Sequence, residues 1–271
     1  MRLLPRRRSV AVESNTCLGG ATRRGELSLT TFNVWNDGKY AAERYHAIAQ
    51  LLSQRKPAVM VFQEVTPSAL QVFSSVRWMR DGYARAAMVG GDAGDYGLLV
   101  LSQVPLSRVT YTRLPTRQAR GFLTAELVVD GVRIVLCCVH LDSGKTSARL
   151  RGWQLRRIFH ELRNAKDAVV LGDFNMRDSE NSRIRAPYRD VWPALRPGED
   201  GFTEDTSINL MRYDMKDKHR HVRFDRVLLK GDRLSATEIA LLGTEPIAAD
   251  LPRVFPSDHF GVECRLTVRS P

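Results

Sequence analysis

Polar residues able to do chemistry recur in this chain at the ends of short apolar runs. Asn33 follows Leu29-Thr30-Thr31-Phe32, and Gln63-Glu64 follow Ala58-Val59-Met60-Val61-Phe62. His140 follows the run from Val132 to Val139, and Asp173 and Asn175 follow Ala168-Val169-Val170-Leu171. Asp225 stands in Arg223-Phe224-Asp225-Arg226, and Asp258-His259 precede Phe260-Gly261-Val262. Taken singly, each has an ordinary explanation. Asn33 could cap a turn, Glu64 could lead into a helix at Pro67, Asp173 after a glycine could make a turn, and Asp225 could pair with its flanking arginines. As a set they argue for a site. Buried strands have no reason to end repeatedly in Asp, Glu, Asn and His unless those ends converge, and α/β proteins build sites on loops at one edge of a sheet. Carboxylates with an Asn and no thiol suit a hard divalent cation, Mg2+ or Mn2+. Imidazoles beside such a cation suit phosphoester chemistry, in which charge on phosphate is neutralised, a base activates water and donors hold the developing oxyanion.

The elements that would position these residues follow from periodicity. Alternating β-formers predict a strand over 27–35, and continuous apolar runs predict strands at 58–62 and 168–171 that are buried on both faces. Further strands are expected at 96–101, 122–129, 132–139, 222–229, 236–242 and 261–268. Asp130-Gly131 signals a tight hairpin between two of them. Helical spacing predicts 41–53, 67–76 with Pro67 in the first turn, and 147–163. In the last of these, Leu150, Trp153, Leu155, Ile158, Phe159 and Leu162 are expected to form one packed face. Residues 176–220 are polar, basic and interrupted by Pro187, Pro193 and Pro197, which predicts a long irregular binding loop.

With 43% hydrophobic and 26% charged residues, the 271-residue chain has the balance of a folded domain rather than a disordered one. No apolar run approaches the roughly 20 residues of a membrane span, so no membrane association is expected. The net charge of +11 points to a polyanionic partner. Residues 1–25 carry six arginines against one acid, Glu13, and read as a basic, disordered arm before a domain at 26–271. None of Cys17, Cys137, Cys138 and Cys264 forms a CxxC pair. Cys137 and Cys138 should point to opposite faces of one strand, which fits packing in an intracellular, reducing setting.

Read in order, Thr-Phe-Asn33, Gln63-Glu64, His140-Leu141-Asp142-Ser143, Gly172-Asp173-Phe174-Asn175 and Ser257-Asp258-His259 resemble the endonuclease/exonuclease/phosphatase superfamily over about residues 27–268. Within it, the similarity is greatest to the 5′-tyrosyl-DNA phosphodiesterase branch. His140-Leu141-Asp142-Ser143 with Arg151 and Gln154-Leu155 carries it, as do Phe202-Thr203-Glu204-Asp205-Thr206 with Asn209, Arg223-Phe224-Asp225-Arg226, and Phe255-Pro256-Ser257-Asp258-His259. Two positions depart: Asp142 stands where that branch has Glu, and Glu204 where it has Trp. A Trp there could stack on DNA, whereas a Glu would repel phosphate.

The resemblance implies a deoxyribonuclease I-like four-layer α/β sandwich, two packed and mostly antiparallel sheets flanked by helices. It implies a metal site at Glu64, assisted by Asn33 and Asp258, and a catalytic set of His140, Asp173, Asn175, Asp225 and His259. Asp225 would polarise His259, Asp173 or that pair would serve as the base, and Asn175 and His140 would donate to phosphoryl oxygens. Arg120 and Arg151 are expected phosphate contacts. The implied partner is a DNA 5′ end met by a monomeric enzyme. Other nucleases, phosphatases of phosphoinositides or small phosphoesters, and an inactive nucleic-acid-binding domain are the alternatives of the same fold.

Overall fold

The computed structural model describes residues 7–14 and 25–270. Two sheets pack face to face. The seven-stranded sheet runs Arg7–Ser9, Ser107–Arg113, Gly121–Val129, Val132–His140, Asp167–Asp173, Asp225–Lys230, Arg189–Asp190. The six-stranded sheet runs Leu234–Leu242, Gly261–Val268, Glu26–Asn33, Val59–Val65, Gly97–Ser102, Ala84–Met88. Each contains a single parallel pair, Val132–His140 with Asp167–Asp173 in one and Glu26–Asn33 with Val59–Val65 in the other.

Strand alternation builds the four layers. Val59, Val61, Val169, Leu171 and Cys138 face inward and form the core between the sheets. Their neighbours Met60 and Phe62 face outward against Tyr45, Ile48 and Leu52 of helix Ala41–Ser53 and Phe73 of helix Pro67–Ser75. On the other side Cys137, Val139 and Val170 meet Leu155 and Ile158 of helix Ala148–Glu161. A period of two in strands buried on both faces therefore accounts for the sandwich and for the opposite facing of Cys137 and Cys138. Both thiols are buried and free; Cys17 lies outside the described residues. The Asp130-Gly131 hairpin forms as expected, with Val129 opposite Val132 and positive φ at both turn residues, 47° and 79°.

Three expectations need correction. Trp153 is not on the packed face of its helix but 48% exposed, with the Arg149 guanidinium 5.4 Å from its ring. The buried stripe is Arg151, Gln154, Leu155 and Ile158, and two residues of helix turn Trp153 away from Leu155. The arm is not wholly disordered. Arg7–Ser9 pairs antiparallel with Thr110–Thr112, Glu13 bridges Arg85, and the Arg7 guanidinium reaches Glu161 at 2.8 Å. A sheet edge with free backbone groups and nearby carboxylates gave these residues partners that composition could not reveal. Finally, 176–220 contains short elements, helices Val191–Leu195 and Leu210–Asp214 and the ribbon of Glu204–Asp205 with His221–Val222. None is long enough for a period to register.

Candidate active site

The sandwich brings six strand ends to one edge. In the larger sheet, His140 lies opposite Asp173 and Asp173 opposite Asp225, so three adjacent strands present their terminal residues side by side. In the other sheet, Asn33 lies opposite Gln63, and the antiparallel strand Gly261–Val268 places Ser257-Asp258-His259 just before it. Glu64 has φ 58° at a register shift between Phe62 and Val65, a bulge that re-aims its carboxylate. Asn175 has φ 51°. Left-handed backbone at two polar non-glycine residues on one edge is the kind of strain that active sites retain.

Asp173 is the centre. It accepts hydrogen bonds from Asn175 N at 2.7 Å, Asn175 Nδ2 at 2.9 Å and Asn33 Nδ2 at 3.1 Å, while His140 Nε2 stands 3.4 Å away. Burial pushes the Asp173 carboxyl up to about 7; the His259 charge opposes this, Asp225 and Glu64 add to it, and the Asn175 N–H offsets it. Asp225 Oδ2 lies 2.7 Å from His259 Nδ1, the expected pairing. Thr203 Oγ1 fixes Asp225 by accepting from the N–H groups of Phe224 and Asp225 at 3.0 and 3.1 Å.

The two histidines are driven in opposite directions. Burial, then Arg120 and His259, holds His140 well below the ordinary imidazole range. Burial also disfavours the charged form of His259, but Asp225, Asp258 and Asp173 outweigh it and hold its pKa well above the ordinary value. His259 is therefore an imidazolium and His140 a neutral ring. His140 Nε2 and Asp225 Oδ1 are buried without a hydrogen-bond partner, unspent polar atoms beside the cleft.

Glu64, Asp173, Asn175, Asp258 and His259 line one cavity of about 490 Å3. Asp258 is pushed up to about 6, first by burial, with His259 lowering it and Glu64 raising it again. A cation between Glu64 and Asp258 would relieve that repulsion, and their oxygens suit a hard ion. Asn33 Oδ1 accepts from Trp35 N at 3.1 Å and keeps a second lone pair. A different trio, Asp173, Asp225 and His259, also has ligand atoms within 4.8 Å of one another. In that trio Asp225 Oδ2 and His259 Nδ1 bond each other and Asp173 accepts from Asn33 and Asn175, while Asp225 Oδ1 has no hydrogen-bond partner.

Other expected residues land elsewhere. Asn175, expected to donate to phosphate, gives its amide to Leu141 O at 3.1 Å and to Asp173, and so positions Asp173. Arg120 is buried behind His140, donating to Tyr96 Oη at 2.8 Å. Arg151 is no phosphate contact. It is fully buried, its fork holds Glu180 at 2.6 and 3.0 Å, and its Nη1 donates to Asp142 O and Gly144 O, both at 2.8 Å. Arg151→Ala should therefore lower unfolding stability by about 3–5 kcal/mol by orphaning Glu180, read as a shift in the urea midpoint. An unshifted midpoint with a raised KM would restore the phosphate role.

Glu204 does not face a DNA strand unprotected: it is 1% exposed and paired with Arg212 and Arg220. Asp142 is likewise structural, accepting from Thr116, from Arg117 N at 2.9 Å and from Gln154 Nε2 at 2.8 Å. The residue that periodicity gave no reason to notice is Arg44. Buried on the first helix, it donates to the carbonyls of Val34, Trp35, Asp37, Lys39 and Pro256, tying the loop after Asn33 to the loop before Asp258. An Arg within a stripe of Tyr45, Ile48 and Leu52 was the available signal.

The fold has counterparts among known proteins. The chain is similar to tyrosyl-DNA phosphodiesterase 2 of Xenopus laevis, 29% identical over 95% of this chain and 71% of that protein. The same protein of Gallus gallus is 28% identical over 89% of this chain and 67% of the relative. Among solved structures, D. rerio TDP2 complexed with single strand DNA product superposes with a TM-score of 0.80 at 25% identity, covering 90% of this chain and 99% of that one. Truncated Caenorhabditis elegans TDP2 gives 0.77 at 23% identity, over 90% and 98%. Residues 30–259 match the Endonuclease/Exonuclease/phosphatase family, and the chain belongs to that family.

Proposed function

We propose that this protein is a divalent-metal-dependent phosphodiesterase that hydrolyses the bond between a tyrosyl adduct and the 5′ phosphate of DNA, as a DNA-repair activity. The observation that carries the reading is the opposed pair of buried groups on one edge, a carboxyl at Asp173 poised near neutrality and an imidazolium at His259. The tyrosyl-DNA phosphodiesterase relatives supply the substrate.

A general base works best with a pKa near the operating pH, and Asp173 meets that condition while His259, already charged, does not. Asp173 thus orients the attacking water and takes its proton, with Asn175 and Asn33 fixing the carboxylate. His259, held by Asp225 through Nδ1, presents Nε2 to the phosphoryl oxygens as charge builds there. His140, neutral, donates from Nε2 beside it. Glu64 and Asp258, with Asn33, would hold Mg2+ or Mn2+, which supplies charge neutralisation at the phosphate. The partner is the 5′ end of a DNA strand. Among the described residues no helix is long and apolar enough to cross a membrane. The free, buried thiols of Cys137, Cys138 and Cys264 accord with an intracellular setting.

The test is incubation with a 5′-phosphotyrosyl oligonucleotide and Mg2+. Release of free tyrosine and a 5′-phosphorylated strand, abolished by EDTA and restored by excess Mg2+, is the expected result. Cleavage of plain or abasic DNA, or of phosphoinositides, without tyrosine release would replace the substrate. Binding that survives EDTA with no turnover of anything would leave only a binding domain.

A further inference from the structure

We infer that Glu204, Arg212 and Arg220 form a second phosphate subsite beside the catalytic residues, one that takes the next phosphodiester along a nucleic-acid strand and so selects oligonucleotides over mononucleotides and small phosphoesters. The inference deepens the phosphodiesterase reading and rests on it for the identity of the strand.

A carboxylate that is 1% exposed must be paired, because an isolated buried charge is prohibitively unstable. Glu204 has two partners, both lining the catalytic cavity. Arg212 holds it through Nε and Nη2, while Arg212 Nε also comes within 3.7 Å of Asp258 Oδ2 and Nη1 meets only Met215 Sδ at 3.7 Å. Arg220 spreads Nη1 over both Glu204 oxygens at 3.2 Å, and its side chain remains 29% exposed. Among the described residues, Arg220 Nε and Nη2 have no side-chain acceptor.

Glu204 faces two guanidiniums, and Asp258 shares Arg212 at 3.7 Å, so the positive excess at this end of the cavity is carried by the lysines. Lys216 and Lys218 line the same cavity, and neither forms an ion pair among the described residues. The cluster therefore attracts phosphate instead of repelling it. It is also preorganised. A free surface arginine loses rotamer freedom when it binds, whereas one tied to a buried carboxylate has already lost it. The local fold supports the arrangement. Glu204–Asp205 pairs with His221–Val222, and the Arg220 N–H and C=O are both bonded to Thr206, so Arg220 projects from a pinned backbone.

The position sets the ligand. Arg212 comes within 3.7 Å of Asp258, and Arg220 lines the same cavity while forming its ion pair with Glu204, so the open nitrogens stand beside the catalytic residues and not among them. A planar guanidinium fork at that place matches a further phosphate of the same strand. A mononucleotide ester has none to offer.

The experiment compares Arg220→Gln with the unsubstituted protein on two substrates, a 5′-phosphotyrosyl single strand of several nucleotides and thymidine 5′-(4-nitrophenyl phosphate), which carries one phosphate. The variant should lose at least about tenfold more kcat/KM on the oligonucleotide than on the mononucleotide ester, mainly through KM. In parallel, the affinity for a 5′-phosphorylated single strand, measured by anisotropy at several salt concentrations, should lose about 0.7 from its log–log salt slope, one phosphate contact fewer. Glu204→Gln should move in the same direction, because the guanidiniums lose their anchor. Equal losses on both substrates, an unchanged salt slope, or tighter strand binding by Glu204→Gln would overturn the subsite. If the unsubstituted protein hydrolyses neither substrate, the proposed activity fails, and the salt slopes alone still decide the subsite.

Discussion

Asp173→Asn is expected to lower kcat on a 5′-phosphotyrosyl oligonucleotide by about a thousandfold, in the middle of the range for removing a positioned general base, with KM changed little. Asn keeps the size of the side chain and one acceptor oxygen, so Asn33 and Asn175 retain a partner. What is lost is the proton acceptor, along with the buried charge whose basicity is raised first by burial and then by repulsion from Asp225 and Glu64. A group that acts only in the transition state should reduce kcat and kcat/KM together. The new amide faces Asn175 N–H donors, so a modest fall in stability is also expected, roughly 1–3 kcal/mol for an imperfectly satisfied buried group. Steady-state kinetics at a temperature well below the variant's melting midpoint separates the two effects. A kcat within about threefold of the unsubstituted protein would remove Asp173 from the chemistry.

The fold was legible because its strands are buried on both faces. The stretches 59–62 and 168–171 of these strands are apolar throughout, so a carboxylate or imidazole after them stands out against the run before it. That contrast located Asn33, Glu64, His140 and Asp173, and the register of the parallel pairs brings them together. Sequence was silent where the partner is distant in the chain. Arg44 binds Pro256 across the molecule, Thr203 holds the backbone of Asp225, and Glu204 pairs with both Arg212 and Arg220. Such pairs leave no period and no spacing. They can even mislead, since Arg151 and Glu204 read as a phosphate ligand and a phosphate repellent and prove to be members of two buried ion pairs. In a chain of net charge +11, an arginine is informative only when the acid that it meets is known.

His259→Ala and Asp225→Asn should each lower kcat by a factor of about 10^2–10^3, and the double variant should be little worse than His259→Ala alone. The non-additivity follows from the geometry. Asp225 hydrogen-bonds the reacting set through Nδ1 of His259 at 2.7 Å, and with the ring gone only its through-space repulsion with Asp173 remains. Asp225→Asn keeps an oxygen against Nδ1 but removes the principal charge that outweighs the desolvation of the imidazolium. The ring pKa falls, although Asp258 and Asp173 still raise it, and the donor facing the phosphoryl oxygen holds its charge less firmly. Nitrogen-15 chemical shifts of His259 read this directly: an imidazolium pattern in the unsubstituted protein that gives way to the neutral ring at a lower pH in Asp225→Asn. Two independent losses whose logarithms sum in the double variant would place Asp225 in contact with the reacting groups on its own account, and an unchanged His259 spectrum would break the link between the two residues.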